Sequence, residues 1–198
     1  MPEITSWLAA ALILITATGL LLSRDWRWSL GLLVAQYFGM FLLLLDFWPM
    51  GMAAAKLITG WMAAGALLMT RAGSPARLPG EGGWPQGRPF RLFATILVVL
   101  AIASIVPAVP TWLPGITPAH ALAGLLLVGL GVLHLGMTLQ PPRVVVALLT
   151  VLAGFEILYA SVENSVLVAA LLSALTLLLA LVGSYLIIQT AAPAEAGT

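Results

Sequence analysis

The sequence predicts an all-α integral membrane protein, a bundle of about seven transmembrane helices with its N-terminus outside. Three observations carry that reading. Of 198 residues, 62% are hydrophobic and only 8% charged, where a soluble domain carries roughly a quarter charged residues. The apolar residues form runs of about 20, the length that crosses a bilayer as a helix. The arginines fall in alternate connections between those runs. A soluble fold of this size has too little interior to hide so much apolar surface, so the lipid bilayer is the expected solvent and first partner.

The spans are placed at 6–22, 28–46, 50–70, 90–106, 119–138, 143–161 and 166–189. Residues before Trp7 include the acidic Glu3 and no Lys or Arg, unlike the basic start of a secretory signal, so the first run is expected to stay as a membrane helix. The charged turn Ser23 to Arg27 ends it, and the Asp46-Phe47-Trp48-Pro49 corner ends the second. Segment 71–89, RAGSPARLPGEGGWPQGRP, separates spans three and four; its Gly and Pro content predicts a flexible cytoplasmic connection rather than a domain. The Pro-rich stretch 107–118, the Pro141-Pro142 pair and Val162 to Ser165 separate the rest. Residues 1–189 thus form one transmembrane domain, followed by a small polar, flexible tail at 190–198, and no strong internal repeat is visible.

Orientation follows from charge, because Lys and Arg accumulate in cytoplasmic loops. Arg24, Arg27, Arg71, Arg77, Arg88, Arg91 and Arg143 all fall on one side of a seven-span chain, while Glu3, Asp46 and Glu163 fall on the other. The N-terminus is therefore expected outside and the C-terminus inside a cell inner (plasma) membrane. Trp26, Trp28, Trp48 and Trp112 lie near span ends, where indoles anchor at headgroup level.

Composition also excludes functions. A net charge of +1 with no basic run offers no footprint for nucleic acid. The absence of Cys removes disulfides, thiolate metal sites and iron–sulfur clusters. His120 and His134, the two histidines, share span five and stand about 21 Å apart along it. They cannot clamp one haem, so no haem, metal or other cofactor is expected. No phosphate loop, nucleophile elbow or zinc-binding helix motif occurs, so catalytic residues are not assigned and a self-contained enzyme is not expected.

Attention then falls on ionisable groups inside the membrane, which insertion scales penalise by about 2.5–3.5 kcal/mol at mid-helix and which mark ion or proton paths by default. Lys56 lies six residues past Met50 in span three, and Glu156 five residues before Ser161 in span six. A rise of 1.5 Å per residue puts them about 9 Å and 8 Å from the same outer surface. An ion pair is geometrically allowed. Gly60 and Ala64 follow Lys56 at four-residue steps and predict close helix packing. Tyr159 and Glu163, three and seven residues beyond Glu156, share its face, with Asn164 adjacent, a short polar track toward the outside. His134 is a candidate relay near the inner surface, although a packing role weighs more for it and for Gln36. His120, Gly124, Gly131 and His134 recur on roughly one helical face, which predicts buried helix contacts. The bland alternative for Lys56 and Glu156 is mutual neutralisation or snorkelling.

Residues 143–172, RVVVALLTVLAGFEILYASVENSVLVAALL, resemble the second helix of subunit K of the complex I family, through Gly154-Phe155-Glu156-Ile157-Leu158-Tyr159-Ala160. The three spans of 119–189 would correspond to that three-helix subunit. The full chain, with its extra N-terminal spans and its Glu163-Asn164 pair, is similar to component E of hydrogenase-4, the K-like subunit of membrane-bound hydrogenases; Lys56 within AAAKLITG is similar to a lysine-bearing helix there. The resemblance implies that Glu156 is the carboxylate of a proton path between a redox arm and antiporter-like subunits. It also implies a second Glu in the last helix, where this chain has only Ser173, Thr176, Ser184 and Tyr185 as polar groups.

The expected function is thus a membrane-embedded, non-redox subunit of a complex-I-related oxidoreductase, hydrogenase or cation/proton antiporter complex, contributing to proton translocation or to anchoring. Other membrane subunits would be its partners, and the path would comprise Glu156, Lys56, Tyr159, Glu163, Asn164 and His134. An independent small transporter and a structural or assembly protein are the alternatives.

Overall fold

A computed structural model describes residues 3–23, 25–72 and 87–191. Among them lie seven helices long and apolar enough to cross a membrane, the architecture of a multi-pass membrane protein. They are α1 (Glu3–Leu22), α2 (Trp26–Leu44), α3 (Met50–Ala72), α4 (Arg88–Ile105), α6 (Pro118–Gly136), α7 (Pro141–Ala160) and α8 (Val166–Ala191), with the single turn α5 (Val109–Trp112) between α4 and α6. Most of the expected connection 71–89 and of the tail 190–198 lies outside the described residues.

Each boundary has a local cause. Asp25, Gly87, Thr117 and Gln140 precede their helices in extended conformation. Pro118, Pro141 and Pro142 open α6 and α7, where a missing N–H costs nothing. The Asp46–Trp48 corner is a tight turn held by Phe47 N–H to Leu44 O at 3.1 Å and Trp48 N–H to Leu44 O at 2.8 Å. Span four runs further than its sequence suggests, because the break expected to begin at residue 107 starts only after Trp112. A 3₁₀ turn over Val106–Ala108 and then α5 carry the chain past Pro107 and Pro110, each of which sits in the first positions of a new turn. The reversal comes at Gly115, whose φ of 98° is a conformation that a Cβ disfavours.

The helices stack as two rows of three. Row one is α1, α2, α3 and row two is α6, α7, α8; α1 lies against α6, α2 against α7 and α3 against α8, with α4 outside the α1/α6 edge. Consequently α6 and α7 are the most enclosed helices, whereas α4 and α8 leave most of their apolar surface facing outward. Small residues set the tightest contact. A Cβ on Gly154 would stand 2.7 Å from Gly124 O and Val128 N, and one on Gly131 2.6 Å from Val151. This is the buried face shared by His120, Gly124, Gly131 and His134 that the spacing predicts.

One end of the bundle carries Glu3, Asp46 and Glu163; the other carries Arg71, Arg91 and Arg143. The arginines do more than mark an end. Arg91, which is buried, donates to Leu21 O at 3.1 Å and Met137 O at 3.2 Å, and Arg143 donates to Ser23 O at 2.9 Å. They satisfy carbonyls at the ends of α1 and α6 that no further turn can reach, where the helix dipole also favours a cation.

Trp48 departs from the headgroup-anchor expectation. It is buried, and its indole N–H points to Glu163 O at 3.4 Å, so it pins the α2–α3 corner to the α7–α8 turn. Trp28 and Trp112 are exposed, as an anchoring role requires.

Candidate functional site: a sealed ion pair across four helices

Lys56 lies on the buried stripe of α3 with Ala53, Gly60, Ala64 and Leu67, and Glu156 on the buried stripe of α7 with Ala153, Ile157 and Ala160. The stacked rows bring the two stripes together. Lys56 Nζ is 2.5 Å from Glu156 Oε1, with 2% and 0% of the side chains exposed. Neither charge snorkels to the surface, so the pairing itself must offset the desolvation of both ions.

Two further helices close the site. Lys56 Nζ donates to Thr176 Oγ1 of α8 at 2.9 Å, and Thr176 in turn donates to Leu172 O at 2.9 Å. Thr176 is fully buried. Tyr37 of α2, also buried, lies flat against Gly60, where an added Cβ would meet its ring. Its hydroxyl interacts with Thr176 and lies in the field of Glu156. Gly60 is needed because the ring occupies the volume that any larger residue would fill. Gly154 does the same for Glu156, letting α7 approach α6 two residues before the carboxylate.

The result is a cluster of ammonium, carboxylate and two hydroxyls drawn from α2, α3, α7 and α8. Glu156 Oε2 accepts no hydrogen bond among the described residues. Chemically the cluster can hold a proton on either Glu156 or Lys56 and exchange it over a short contact. It offers no nucleophile poised by a base.

The other expected path residues are not joined to this cluster by hydrogen bonds among the described residues. Tyr159 is half-buried and stacks on the exposed Phe155, with ring centres 6.1 Å apart. Glu163 and Asn164 are exposed in the α7–α8 turn. His134 lies at the arginine end, buried, with Nε2 unpaired among the described residues. Gln36 is completely buried with neither amide atom hydrogen-bonded among them. No group of three or more His, Asp or Glu among the described residues is placed to hold a metal ion.

Tyr37 and Thr176 are the members that sequence reasoning did not assign to the site. Tyr37 gave no signal beyond being one of three tyrosines. Thr176 had one: it is a polar group in the last span, near its middle. Comparison with protein-family models, with curated proteins and with solved structures finds no match.

Proposed function

We propose that the chain is a non-redox membrane subunit of a complex-I-related oxidoreductase, hydrogenase or cation–proton antiporter complex, set in the inner membrane with its N-terminus outside. The observation that carries the reading is the Lys56–Glu156 pair, held at 2.5 Å in the interior of the bundle. Glu156 is the residue on which the likeness to subunit K rests, and a buried ionisable group in a spanning helix is by default part of a path for charge. In this reading Glu156 is the relay carboxylate, Lys56 its charge partner, and Tyr159, Glu163 and Asn164 lead toward the outside. His134 serves the inner end. The last helix contributes a hydroxyl, Thr176, where the likeness would call for a carboxylate.

The burial of both charges, and their tie to α8 through Thr176, also favours a second reading, in which the pair only fixes helix packing and the chain is a structural or assembly protein. Mild-detergent purification from the native membrane, followed by mass spectrometry, tests the first. Co-purification with antiporter-like and redox subunits is the expected result, and recovery alone overturns it. With the complex in hand, Glu156→Gln is expected to reduce proton uptake by inverted vesicles while assembly persists. Undiminished uptake removes the relay role and leaves the structural one.

A further inference from the structure

Gln36 of α2, His134 of α6 and Glu156 of α7 are buried side chains with polar atoms left unpaired among the described residues. At Gln36 both amide atoms are unpaired, in a side chain with 0% exposure. An amide offers one acceptor and two donors, and burying it dry costs free energy that an apolar side chain of the same length avoids. Internal water meets such groups where other polar partners lie within reach.

The rotation of α2 sets where the amide goes. Gly39 abuts Ala9 and Ile13 of α1, and Tyr37 abuts Gly60 of α3. Gln36 lies about 60° from the first direction and about 100° from the second, on the buried side, so it turns toward row two. There α1, α2, α7 and α6 contact one another in a closed ring, and Thr16 of α1, Thr150 of α7 and His134 of α6 are buried on its members.

These residues form a ladder. Counted from the arginine end at 1.5 Å per residue, His134 lies about 3 Å in, Thr16 about 9 Å, Thr150 about 14 Å, Gln36 about 15 Å and Glu156 about 22 Å. No step exceeds about 8 Å, a distance that one or two hydrogen-bonded waters span. Thr16 and Thr150 donate to Leu12 O and Val146 O of their own helices, each at 2.9 Å, so each hydroxyl oxygen can still accept. Gly136, two residues past His134, is exposed. Tyr37, next to Gln36, has its hydroxyl in the field of Glu156. The ladder thus starts beside the exposed end of α6 and finishes at the ion-pair cluster.

We propose that Gln36 binds internal water at the junction of α1, α2, α6 and α7, and that this water carries protons between His134 and the unpaired oxygen of Glu156. Gln36 is a positioning residue: its amide orients the water, and the water passes the proton. A proton accepted at His134 Nε2 is given up to water, and Glu156 Oε2 accepts one at the far end, so charge balances at each step. Such waters are few and held by protein groups, so they pass a proton without solvating a stranded charge as bulk water does. The inference rests on the relay reading of Glu156 and adds the side from which its proton comes.

Water-edited solid-state NMR of the full chain in lipid bilayers, labelled with ¹⁵N-glutamine, tests the water. Transfer from water to the Gln36 side-chain amide is expected, with exposed Gln189 as the positive control and Gln36→Met identifying the signal. No transfer at Gln36 overturns the proposal. Proton uptake by inverted vesicles holding the native complex tests the route. Gln36→Met, which keeps the length and removes the amide, is expected to slow uptake about tenfold, as loss of one buried hydrogen-bonding partner does. Gln36→Asn, which keeps an amide, should retain most of the rate; an equal loss in the two variants assigns a packing role and overturns the route. Undiminished uptake in Gln36→Met, where Glu156→Gln reduces it, overturns the route and leaves the relay. Undiminished uptake in both removes the relay reading itself and the route with it.

Discussion

Two acid–base pairs among the described residues differ chiefly in their access to water. Lys56 and Glu156 are sealed among four helices, with at most 2% of either side chain exposed. Asp46 and His120 meet at the end of the bundle, where the carboxylate side chain is 16% exposed and opens on a cleft. Sealing raises the cost of leaving either member alone, because an unpaired buried ion has neither solvent nor counter-charge. Openness lowers that cost, since water can replace a lost partner. The two sites therefore differ in what a lost partner costs: nothing replaces it at the inner pair, whereas water can reach the outer one.

The contrast would break first at Lys56. Replacing Lys56 with Met strands Glu156 and is expected to cost about 3–5 kcal/mol, whereas Lys56→Met combined with Glu156→Leu should recover most of the loss, because an apolar replacement of a buried pair is often neutral. Thermal denaturation in detergent measures both. If the single variant is as stable as the parent, the pair is not sealed from water and the contrast fails.

Gly154→Ala sharpens the comparison without touching a charge. The new Cβ would stand 2.7 Å from backbone atoms of α6, which no side-chain rotation can relieve, so α6 and α7 must separate. A loss of about 1–3 kcal/mol is expected, in the range for overpacking. Because α7 carries Glu156, the same variant should loosen the Lys56 contact, read as faster hydrogen exchange in α3 and α7 than in α1.

The smallest effect is expected at the open pair. Asp46→Asn keeps the shape, and Ser6 still finds an acceptor in the Asn side chain, so the same denaturation assay should register a loss of about 1 kcal/mol. A loss as large as that of Lys56→Met would mean that the corner, and not the inner pair, holds the bundle together.

The sequence was most legible where a property is local. All seven spans lie where runs of apolar residues predict them, and the common depth of Lys56 and Glu156 follows from a constant rise per residue. Small residues beside Lys56 correctly predicted a packed face, since Gly60 and Ala64 are both buried. The extension of span four past Pro107 was not legible, because a proline stops a helix only when its place in the turn requires an N–H. Trp48 reads the same from the sequence whether it anchors in headgroups or pins two turns, because its neighbour Glu163 is 115 residues away.

By itself the sequence determined seven helices long and apolar enough to cross a membrane, and where along them the ionisable residues fall. Those quantities depend on transfer free energy and helix geometry summed along short stretches. Only the tertiary structure decided that α3 meets α8 and α2 meets α7, and hence that Thr176 and Tyr37 join Lys56 and Glu156. It alone placed Ser6, Asp46 and His120 around one cleft. The rotation of each helix about its axis and the choice of its neighbour are settled by close packing between segments 40 to 120 residues apart, and no local pattern in a uniformly apolar span records them.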